Sequence, residues 1–336
     1  MSNDQDSTAD ILSRIRSGDR RALARAITRV ESTRADHRAQ ADALIEAALP
    51  FAGKAMRLGI TGTPGVGKST FIEASGLHLV DKGHHVAVLA VDPSSPVAGG
   101  AILGDKTRME HLARHPKAYI RPSPSSGSLG GVARRTRDIM VLVEAAGFDI
   151  VLVETVGVGQ SETAVAGMVD LFMLLLAPGG GDDLQGIKKG VVELADMLVV
   201  NKADGDLKSA AERAKRDYSQ ALHLLRPRSD GWSVPVVTCS SAKGDGIADV
   251  WDTVASFHQR ISDSGGLIAR RADQAGKALW QAVEDALIDD VRRSSAVAAV
   301  REETESQARS GILSPRLAAK RVLEAYWGYS PIEEGP

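Results

Sequence analysis

The segment at residues 62–69, Gly-Thr-Pro-Gly-Val-Gly-Lys-Ser, has the residue types and the spacing of a phosphate-binding loop. Its glycines let the backbone approach phosphate oxygens closely, and the N–H groups then form an anion site at a helix start. Lys68 can reach the β- and γ-phosphates of a nucleotide, and the hydroxyl of Ser69 can bind Mg²⁺. A largely apolar run at 56–60 precedes the loop, as the motif requires. We therefore expect a nucleoside triphosphate to bind Gly62, Thr63, Pro64, Gly65, Val66, Gly67, Lys68, Ser69 and Thr70.

A second motif, Asn201-Lys202-Ala203-Asp204, follows an apolar run and can read the base. The Asp204 carboxylate can accept hydrogen bonds from both guanine N1–H and the guanine N2 amine, whereas adenine offers no such pair of donors. Asn201 can tie the loop to neighbouring backbone, and the stem of Lys202 can pack over the base. The pattern therefore favours GTP or GDP over ATP. We expect a backbone N–H for guanine O6 at or near Ala242, in the segment formed by Ser240, Ser241 and Ala242.

Three acidic residues stand where a magnesium site needs carboxylates. Asp92 follows one apolar run, Glu154 ends another, and Asp105 lies in a Gly-Asp-Lys segment. Mg²⁺ prefers near-octahedral oxygen coordination and takes one or two carboxylates beside a hydroxyl such as that of Ser69. Any one of these acids could instead cap a helix or face solvent, but three of them around one phosphate loop favour a metal role.

The sequence after Glu154 lacks the residue that commonly orients the attacking water in small GTPases. Gly157 can approach the γ-phosphate through its N–H, but the next position is Val158 rather than glutamine. We therefore expect slow intrinsic hydrolysis that a mobile segment or a partner completes. The candidate segment is 177–189, from which Gln185 and Lys188 could reach the phosphates. The open alternative is that this segment is only the first turn of a helix with exposed lysines.

The elements that position these residues follow from alternating patterns. Short apolar runs at 57–61, 85–91, 118–121, 149–154, 170–176, 196–200 and 235–239 predict strands separated by helices. Several runs are almost entirely apolar, which is typical of parallel strands buried on both faces. The predicted fold is α/β, with a mainly parallel sheet flanked by helices and the ligand at the carboxyl ends of the strands.

Helical patterns without strands precede and follow this sheet. We expect a helical N-terminal extension at 1–50, a nucleotide-binding domain at 51–261 and a helical C-terminal region at 262–336. The tail is expected to form helices at 272–292, 295–309 and 314–326. Within the first of these, Leu279, Val283 and Leu287 form an apolar stripe. This stripe could pack within the chain or form a subunit interface.

The composition excludes several other classes of protein. The chain has 336 residues, a net charge of −2 and 4% aromatic residues, so nothing points to nucleic acid. No apolar run approaches the ~20 residues of a membrane span. Cys239 is the single cysteine, which excludes an intrachain disulfide and fits a reducing compartment; we expect it to be a small buried residue. The polar, acidic N-terminus does not have the pattern of a signal peptide, so we expect a cytoplasmic protein, or an organellar one whose transit peptide is absent.

Taken together, the segments GITGTPGVGKST, LAVDPSSP, GAILGDKTRM, VETVGVGQSE, LLLAPGGGDDLQGIKKG and NKAD resemble the MeaB/ArgK/MMAA family of GTPases. The resemblance covers essentially the whole chain. It implies a P-loop fold of the SIMIBI class and a G-protein chaperone for the adenosylcobalamin-dependent methylmalonyl-CoA mutase. Such a protein gates cofactor delivery, protects the mutase from inactivation and forms a homodimer through its helical tail. The resemblance also implies that Gln185 and Lys188 activate hydrolysis in a third switch and that Asp92, Asp105 and Glu154 are linked to the metal.

Two alternatives compete with this interpretation. A metallochaperone GTPase of the same class would need a His-rich or Cys-containing cluster, but the chain has one cysteine and only the pair His84-His85. A small-molecule kinase would need an acceptor pocket and a base for the acceptor, and no motif identifies either.

Overall fold

The computed structural model describes residues 7–32, 34–91, 109–122, 129–155, 161–178, 189–223 and 231–328. Its strands are β1 (Met56–Gly62), β2 (Val86–Val91), β3 (Ala118–Arg121), β4 (Ile150–Thr155), β5 (Leu171–Leu176), β6 (Met197–Val200) and β7 (Val236–Thr238). Each begins and ends within one residue of the expected position. Every residue of β2, β4, β5 and β6 is buried, which agrees with their apolar sequences.

The strands form one sheet in the order β3-β2-β4-β1-β5-β6-β7, and each neighbouring pair is parallel. Strand β1 is central and lies between β4 and β5. Because all strands run in the same direction, the segments that follow β1, β4, β5 and β6 meet at one edge of the sheet. The predicted α/β fold with a parallel sheet is confirmed.

Helices cover both faces of this sheet. On one face, Phe71 and Phe257 pack with Ile60 and Leu152 in a fully buried cluster. On the other face, the first three helices contribute buried side chains, Ile27 among them, to the cluster that contains the strands. The helices of this part of the chain are α1 (Thr8–Arg16), α2 (Arg20–Glu31), α3 (Ala35–Ala48), α4 (Lys68–Asp81), α5 (Glu110–Arg114), α6 (Leu129–Ala145), α7 (Ser161–Ala166), α8 (Lys189–Leu194), α9 (Lys208–Leu222) and α10 (Ile247–Asp263), with short 3-10 turns at Leu49–Phe51 and Gly205–Leu207.

The breaks between the first helices have local causes. Ser7 and Asp10 form a capping box at the start of α1. Asp19 caps α2 by accepting hydrogen bonds from the N–H groups of Arg21 and Ala22. The N–H of Ala22 and the guanidinium of Arg14 together lower the pKa of Asp19 to about 2.

The chain divides into two compact units, Met1–Gln274 and Ala275–Pro336. The helices that follow α10 are α11 (Gly266–Arg293), α12 (Ser295–Arg309) and α13 (Pro315–Trp327), and the boundary between the units falls within α11. In the second unit, α12 packs against α13, and Arg321 of α13 donates to the Gln307 Oε1 at 3.0 Å. Among the described residues, none of the helices combines the length and the apolar character that a membrane span requires.

The apolar stripe predicted on α11 is exposed. Leu279 is 61% exposed, Trp280 67% and Leu287 57%, and the neighbouring Val283 and Ile288 are also exposed. The sequence left open whether this stripe packs within the chain or forms a subunit interface. In the structure most of its surface is in contact with solvent and is not packed within the chain.

Candidate nucleotide-binding site

The loop between β1 and α4 has the backbone shape that its glycines predict. Gly67, the residue before α4, has φ +95°, and a Cβ built on it would lie 2.8 Å from the Asn201 Nδ2. A Cβ on Gly62 would lie 2.6 Å from the Leu175 carbonyl oxygen. Any larger residue at either position would collide with a neighbouring strand end or its loop. The loop is therefore held close to the end of β5 and to the segment that follows β6.

Lys68 is the first residue of α4, and its side chain turns back over the loop. Its Nζ donates to the Gly62 carbonyl oxygen at 2.7 Å, and the Thr63 carbonyl oxygen is 3.4 Å away. This position puts a positive charge at the N-terminus of a helix, where the backbone N–H groups also favour an anion. Ser69 and Thr70 follow in the first turn of the same helix.

Asn201 joins three segments of the carboxyl edge. Its Nδ2 donates to the Val66 carbonyl oxygen in the phosphate loop at 3.0 Å. Its Oδ1 accepts from the Ser241 N–H at 3.1 Å and from the Ser241 hydroxyl at 2.7 Å, and the Cys239 Sγ lies 3.6 Å away. The Asn201 side chain is buried, so these bonds are shielded from water. The predicted tie between Asn201 and neighbouring backbone is present in the structure.

Lys202 forms a second link to the phosphate loop. Its Nζ donates to the Gly65 carbonyl oxygen at 2.6 Å. Lys202 has φ +58°, and no other non-glycine residue in the described part of the chain has a positive φ. Backbone strain of this kind is maintained only where the surroundings enforce it, and it occurs often at functional sites.

Asp204 lies beside the turn that follows β7. Its Oδ2 is 3.6 Å from the Lys243 Nζ, and its side chain is 28% exposed. The turn is closed by hydrogen bonds from the Gly244 N–H to the Ser240 carbonyl oxygen at 2.8 Å and from the Ser240 N–H to the Asp245 carbonyl oxygen at 2.9 Å. Within the described residues, the Ala242 N–H has no hydrogen-bond acceptor. The Asp204 carboxylate thus lies beside the turn that contains Ala242, at the carboxyl edge of the sheet.

Cys239 is buried beside this turn rather than reactive. It is 2% exposed, and burial raises the pKa of its thiol to about 11. The thiol therefore stays protonated near neutral pH, which agrees with the sequence interpretation of a small buried residue.

Glu154 lies at the carboxyl end of β4, next to the strand that leads into the phosphate loop. It pairs with Ile60 of β1 in the sheet, and its side chain is 4% exposed. The adjacent Thr155 hydroxyl donates to the Thr61 hydroxyl at 2.7 Å and joins β4 to β1 at the same level. The carboxylate of Glu154 and the hydroxyl of Ser69 are hard oxygen donors, which is the chemistry that Mg²⁺ selects.

Five predicted site residues lie outside the described residues: Asp92, Asp105, Gly157, Gln185 and Lys188. Among the residues that are described, no group of three or more His, Cys, Asp and Glu side chains could hold a metal ion. The complete donor set for a metal therefore stays a prediction.

Three contacts of the site are not predicted by any of the sequence motifs. These are the bond from Lys202 to Gly65, the bonds from Ser241 to Asn201 and the bond between the Thr61 and Thr155 hydroxyls. The second contact could have been suspected, because Ser241 lies three residues after the end of β7, where a hydroxyl can reach the loop that follows the adjacent β6. The other two join segments far apart in the sequence.

A phosphate-loop motif after the central strand and an Asn-Lys-Ala-Asp motif after β6, at one edge of a parallel sheet, form the arrangement expected of a P-loop GTPase. The chain belongs to the family described as "Methylmalonyl Co-A mutase-associated GTPase MeaB", whose model matches residues 23–296. This confirms the resemblance found in the sequence.

Known proteins agree with this assignment. The "Probable GTPase Rv1496" of Mycobacterium tuberculosis (strain H37Rv) is 57% identical over 323 residues, which cover 96% of this chain and 96% of the relative. The "GTPase ArgK" of Escherichia coli K12 is 48% identical and covers 94% of this chain and 96% of its own length. A solved structure described as "LAO/AO transport system kinase" superposes with a TM-score of 0.75 at 39% identity, over 97% of this chain and 100% of that one. The chain is thus a GTPase of this family, and the family implies guanine nucleotide binding.

Proposed function

We propose that this GTPase is a G-protein chaperone of an adenosylcobalamin-dependent methylmalonyl-CoA mutase. It binds the mutase, gates the delivery of adenosylcobalamin and protects the enzyme from inactivation. The observation that carries this proposal is the match of residues 23–296 to a family described as associated with that mutase. The adenosylcobalamin belongs to the partner enzyme and not to this chain.

The nucleotide lies, in this proposal, across the carboxyl edge of the sheet. The backbone of 62–70 surrounds the phosphates, and Lys68 moves its ammonium group from the loop carbonyls to the β- and γ-phosphate oxygens. Asp204 binds guanine N1–H and the N2 amine, and the exposed N–H of Ala242 binds O6. The bonds from Asn201 and Lys202 to the phosphate loop support this arrangement, because they hold the base loop and the phosphate loop together.

We assign the magnesium site to Ser69, Glu154, Asp92 and Asp105. Glu154 supports this assignment because it is a buried carboxylate on the strand beside the phosphate loop. When bound, Mg²⁺ neutralises charge on the β- and γ-phosphates. Asp105 also orients the reacting groups in this proposal.

Hydrolysis depends on a segment that closes over the γ-phosphate. The Gly157 N–H approaches the γ-phosphate, while Gln185 and Lys188 supply the water-positioning and charge-stabilising groups that Val158 cannot provide. The segment that contains Gln185 and Lys188 follows β5, which is adjacent to β1, so it starts next to the phosphate loop. Intrinsic turnover is then slow, and binding of the mutase accelerates it by stabilising the closed segment.

The helical tail forms a homodimer interface in this proposal. The exposed stripe of α11 supports it, because Leu279, Trp280 and Leu287 together leave a large apolar surface in water. The organisation is then an N-terminal extension at 1–50, a nucleotide-binding domain at 51–261 and a dimerisation region at 262–336. The single buried thiol is consistent with a cytoplasmic location.

Co-purification with the mutase tests the proposal. The full chain should retain a methylmalonyl-CoA mutase in a nucleotide-dependent manner, comparing GDP with a non-hydrolysable GTP analogue. GTP turnover should also rise when the mutase is added. Failure to bind the mutase in either nucleotide state contradicts the proposal. Turnover stimulated by a metal ion alone would indicate a metallochaperone, and a phosphorylated amino acid product would indicate a kinase.

A further inference from the structure

The first turns of α11 are attached to the amino edge of the sheet, opposite the nucleotide site. Leu267, Arg270, Arg271 and Gln274 follow the i, i+3, i+4, i+7 spacing of one helix face. Leu267 packs against the hydrophobic core, and the Gln274 Nε2 donates to the Val169 carbonyl oxygen at 2.8 Å. Arg270 and Arg271 contact two buried aspartates, Asp170 and Asp196. We call Asp170, Asp196, Arg270 and Arg271 the edge clamp.

Arg271 makes the larger set of contacts. Its Nε lies 2.8 Å from the Asp170 Oδ1, and its Nη2 lies 2.6 Å from the Asp170 Oδ2. The same guanidinium donates to the Ala55 carbonyl oxygen at 2.7 Å and to the Gly53 carbonyl oxygen at 2.5 Å. Burial alone would lower the pKa of Arg271, but the hydrogen bonds and charge of Asp170 raise it. The bidentate geometry makes this one of the strong classes of hydrogen bond.

Arg270 makes a similar bidentate contact with Asp196, the residue before β6. Its Nη1 lies 2.9 Å from the Asp196 Oδ2, and its Nη2 lies 3.0 Å from the Asp196 Oδ1. It also donates to the Asp170 carbonyl oxygen. Its guanidinium carbon stands 5.5 Å from the ring centre of Phe257 on α10, which adds a cation–π contact.

The two aspartates are also bonded to the sheet itself. Asp170 precedes β5, and its Oδ2 accepts from the Arg57 N–H of β1 at 2.9 Å. Asp196 precedes β6, and its Oδ2 accepts from the Phe172 N–H of β5 at 2.9 Å. Both aspartates are 1% exposed. Removal of either arginine would take away a charged hydrogen-bond partner of a buried carboxylate, which is strongly unfavourable.

The three strands held by the edge clamp each carry part of the proposed nucleotide site at their other ends. Strand β1 leads to the phosphate loop, β5 leads to the segment with Gln185 and Lys188, and β6 leads to Asn201. At about 3.3 Å per residue, six residues of strand separate the two ends by roughly 20 Å. The nucleotide end of these strands is therefore connected to the start of α11 by the strands themselves and by the hydrogen bonds of two buried carboxylates.

We infer that Arg270 and Arg271 are positioning residues that couple the nucleotide state of the carboxyl edge to helix α11. This inference rests on the proposed nucleotide site, but not on the proposed role with the mutase. Coupling of this kind is reciprocal: if nucleotide stabilises the formed edge clamp by some factor, then breaking the edge clamp must weaken nucleotide binding by the same factor.

Hydrogen–deuterium exchange on the full chain tests the inference. In the wild-type protein, GDP or a non-hydrolysable GTP analogue should slow amide exchange in 267–274 several-fold relative to the nucleotide-free protein. In Arg271→Lys, which keeps the charge but loses the bidentate geometry, the slowing should be lost and the Kd for GDP should rise by a similar factor. Arg309→Lys is the matched control, because Arg309 pairs with Glu305 at 3.3 Å on an exposed surface, and it should behave like wild type.

Two outcomes would overturn the inference: exchange in 267–274 that does not depend on nucleotide in the wild-type protein, or a folded Arg271→Lys that keeps the full nucleotide effect. The first needs no variant, so it decides the matter even if Arg271→Lys unfolds. A merely structural role would lower the melting temperature of Arg271→Lys but leave the nucleotide effect intact. Lack of stimulation by the mutase, with nucleotide-dependent exchange preserved, would contradict the proposed function and leave this inference standing.

Discussion

Replacement of Asn201 by alanine should weaken both the fold and nucleotide binding. The substitution removes the donor to the Val66 carbonyl oxygen at 3.0 Å and the acceptor for both Ser241 donors, at 3.1 Å and 2.7 Å. Net contributions of about 1 kcal/mol per hydrogen bond give a loss of about 3 kcal/mol in the free energy of unfolding. The cost is not reduced by solvation, because Asn201, Val66 and Ser241 are all buried.

The effect on nucleotide binding comes from one of these three bonds. Only the bond to Val66 holds the phosphate loop, so about 1 kcal/mol of the loss should appear in the affinity for GDP, an increase in Kd of about fivefold. Asn201→Asp separates the two effects. It keeps an acceptor for the Ser241 donors but places an oxygen against the Val66 carbonyl oxygen, so it should weaken GDP binding at least as much as alanine does.

Denaturant unfolding and titration with a fluorescent GDP analogue measure the two quantities. Ser219→Ala is the control, because it removes one hydrogen bond, to the Lys215 carbonyl oxygen at 2.7 Å, on α9 and outside the proposed site. It should leave the Kd unchanged. The reasoning from these contacts is wrong if the free energy of unfolding of Asn201→Ala lies within about 1 kcal/mol of the wild-type value and its Kd for GDP lies within about twofold of the wild-type Kd.

Three further predictions concern the base, hydrolysis and pH. Asp204→Asn should weaken GTP binding strongly and improve competition by xanthosine nucleotides. An unchanged base preference in a competition assay would contradict the pairing of Asp204 with guanine. Lys188→Ala should bind GTP nearly as wild type does but lose turnover stimulated by the mutase, and preserved stimulation in a phosphate-release assay would remove Lys188 from the mechanism. Burial on α6 raises the pKa of Asp138 to about 6, with Asp42 also raising it while Arg134 and Arg137 lower it. Because the pKa of Asp138 is higher in the folded state, its protonated form stabilises the fold, and this contribution is lost as pH rises from about 4 through about 6. Asp138→Asn should therefore raise the free energy of unfolding at pH 7 by roughly 1–2 kcal/mol and lose that advantage near pH 4. Denaturant unfolding at both pH values measures the difference.

The pattern of apolar runs in the sequence was enough to predict the strands of the sheet. Strands buried on both faces are nearly continuous apolar runs, so β2, β4 and β5 could be located to within one residue from the sequence. The phosphate loop and the base motif could be located because each depends on a few residues at fixed spacing. Their position at one edge then followed from the direction of parallel strands.

The start of α11 shows where periodicity fails. The sequence predicts a helix from 272, whereas the helix begins at Gly266. The inward-facing positions Arg270, Arg271 and Gln274 are polar, so this face carries no apolar stripe and gives no helical signal. Their burial depends on carboxylates about 75 to 100 residues earlier in the chain, Asp196 and Asp170. Only the folded sheet places those acids against the helix.

The sequence by itself therefore determined the fold class and the family, and it located the motifs at 62–69 and 201–204, because these reside in local patterns. The tertiary structure decided how that edge is held. Asn201 and Lys202 bond to the phosphate loop some 135 residues away, and Arg271 bonds to Gly53 across 218 residues. Contacts between such distant segments depend on strand order and on side-chain direction, and neither is encoded in the spacing of any single motif.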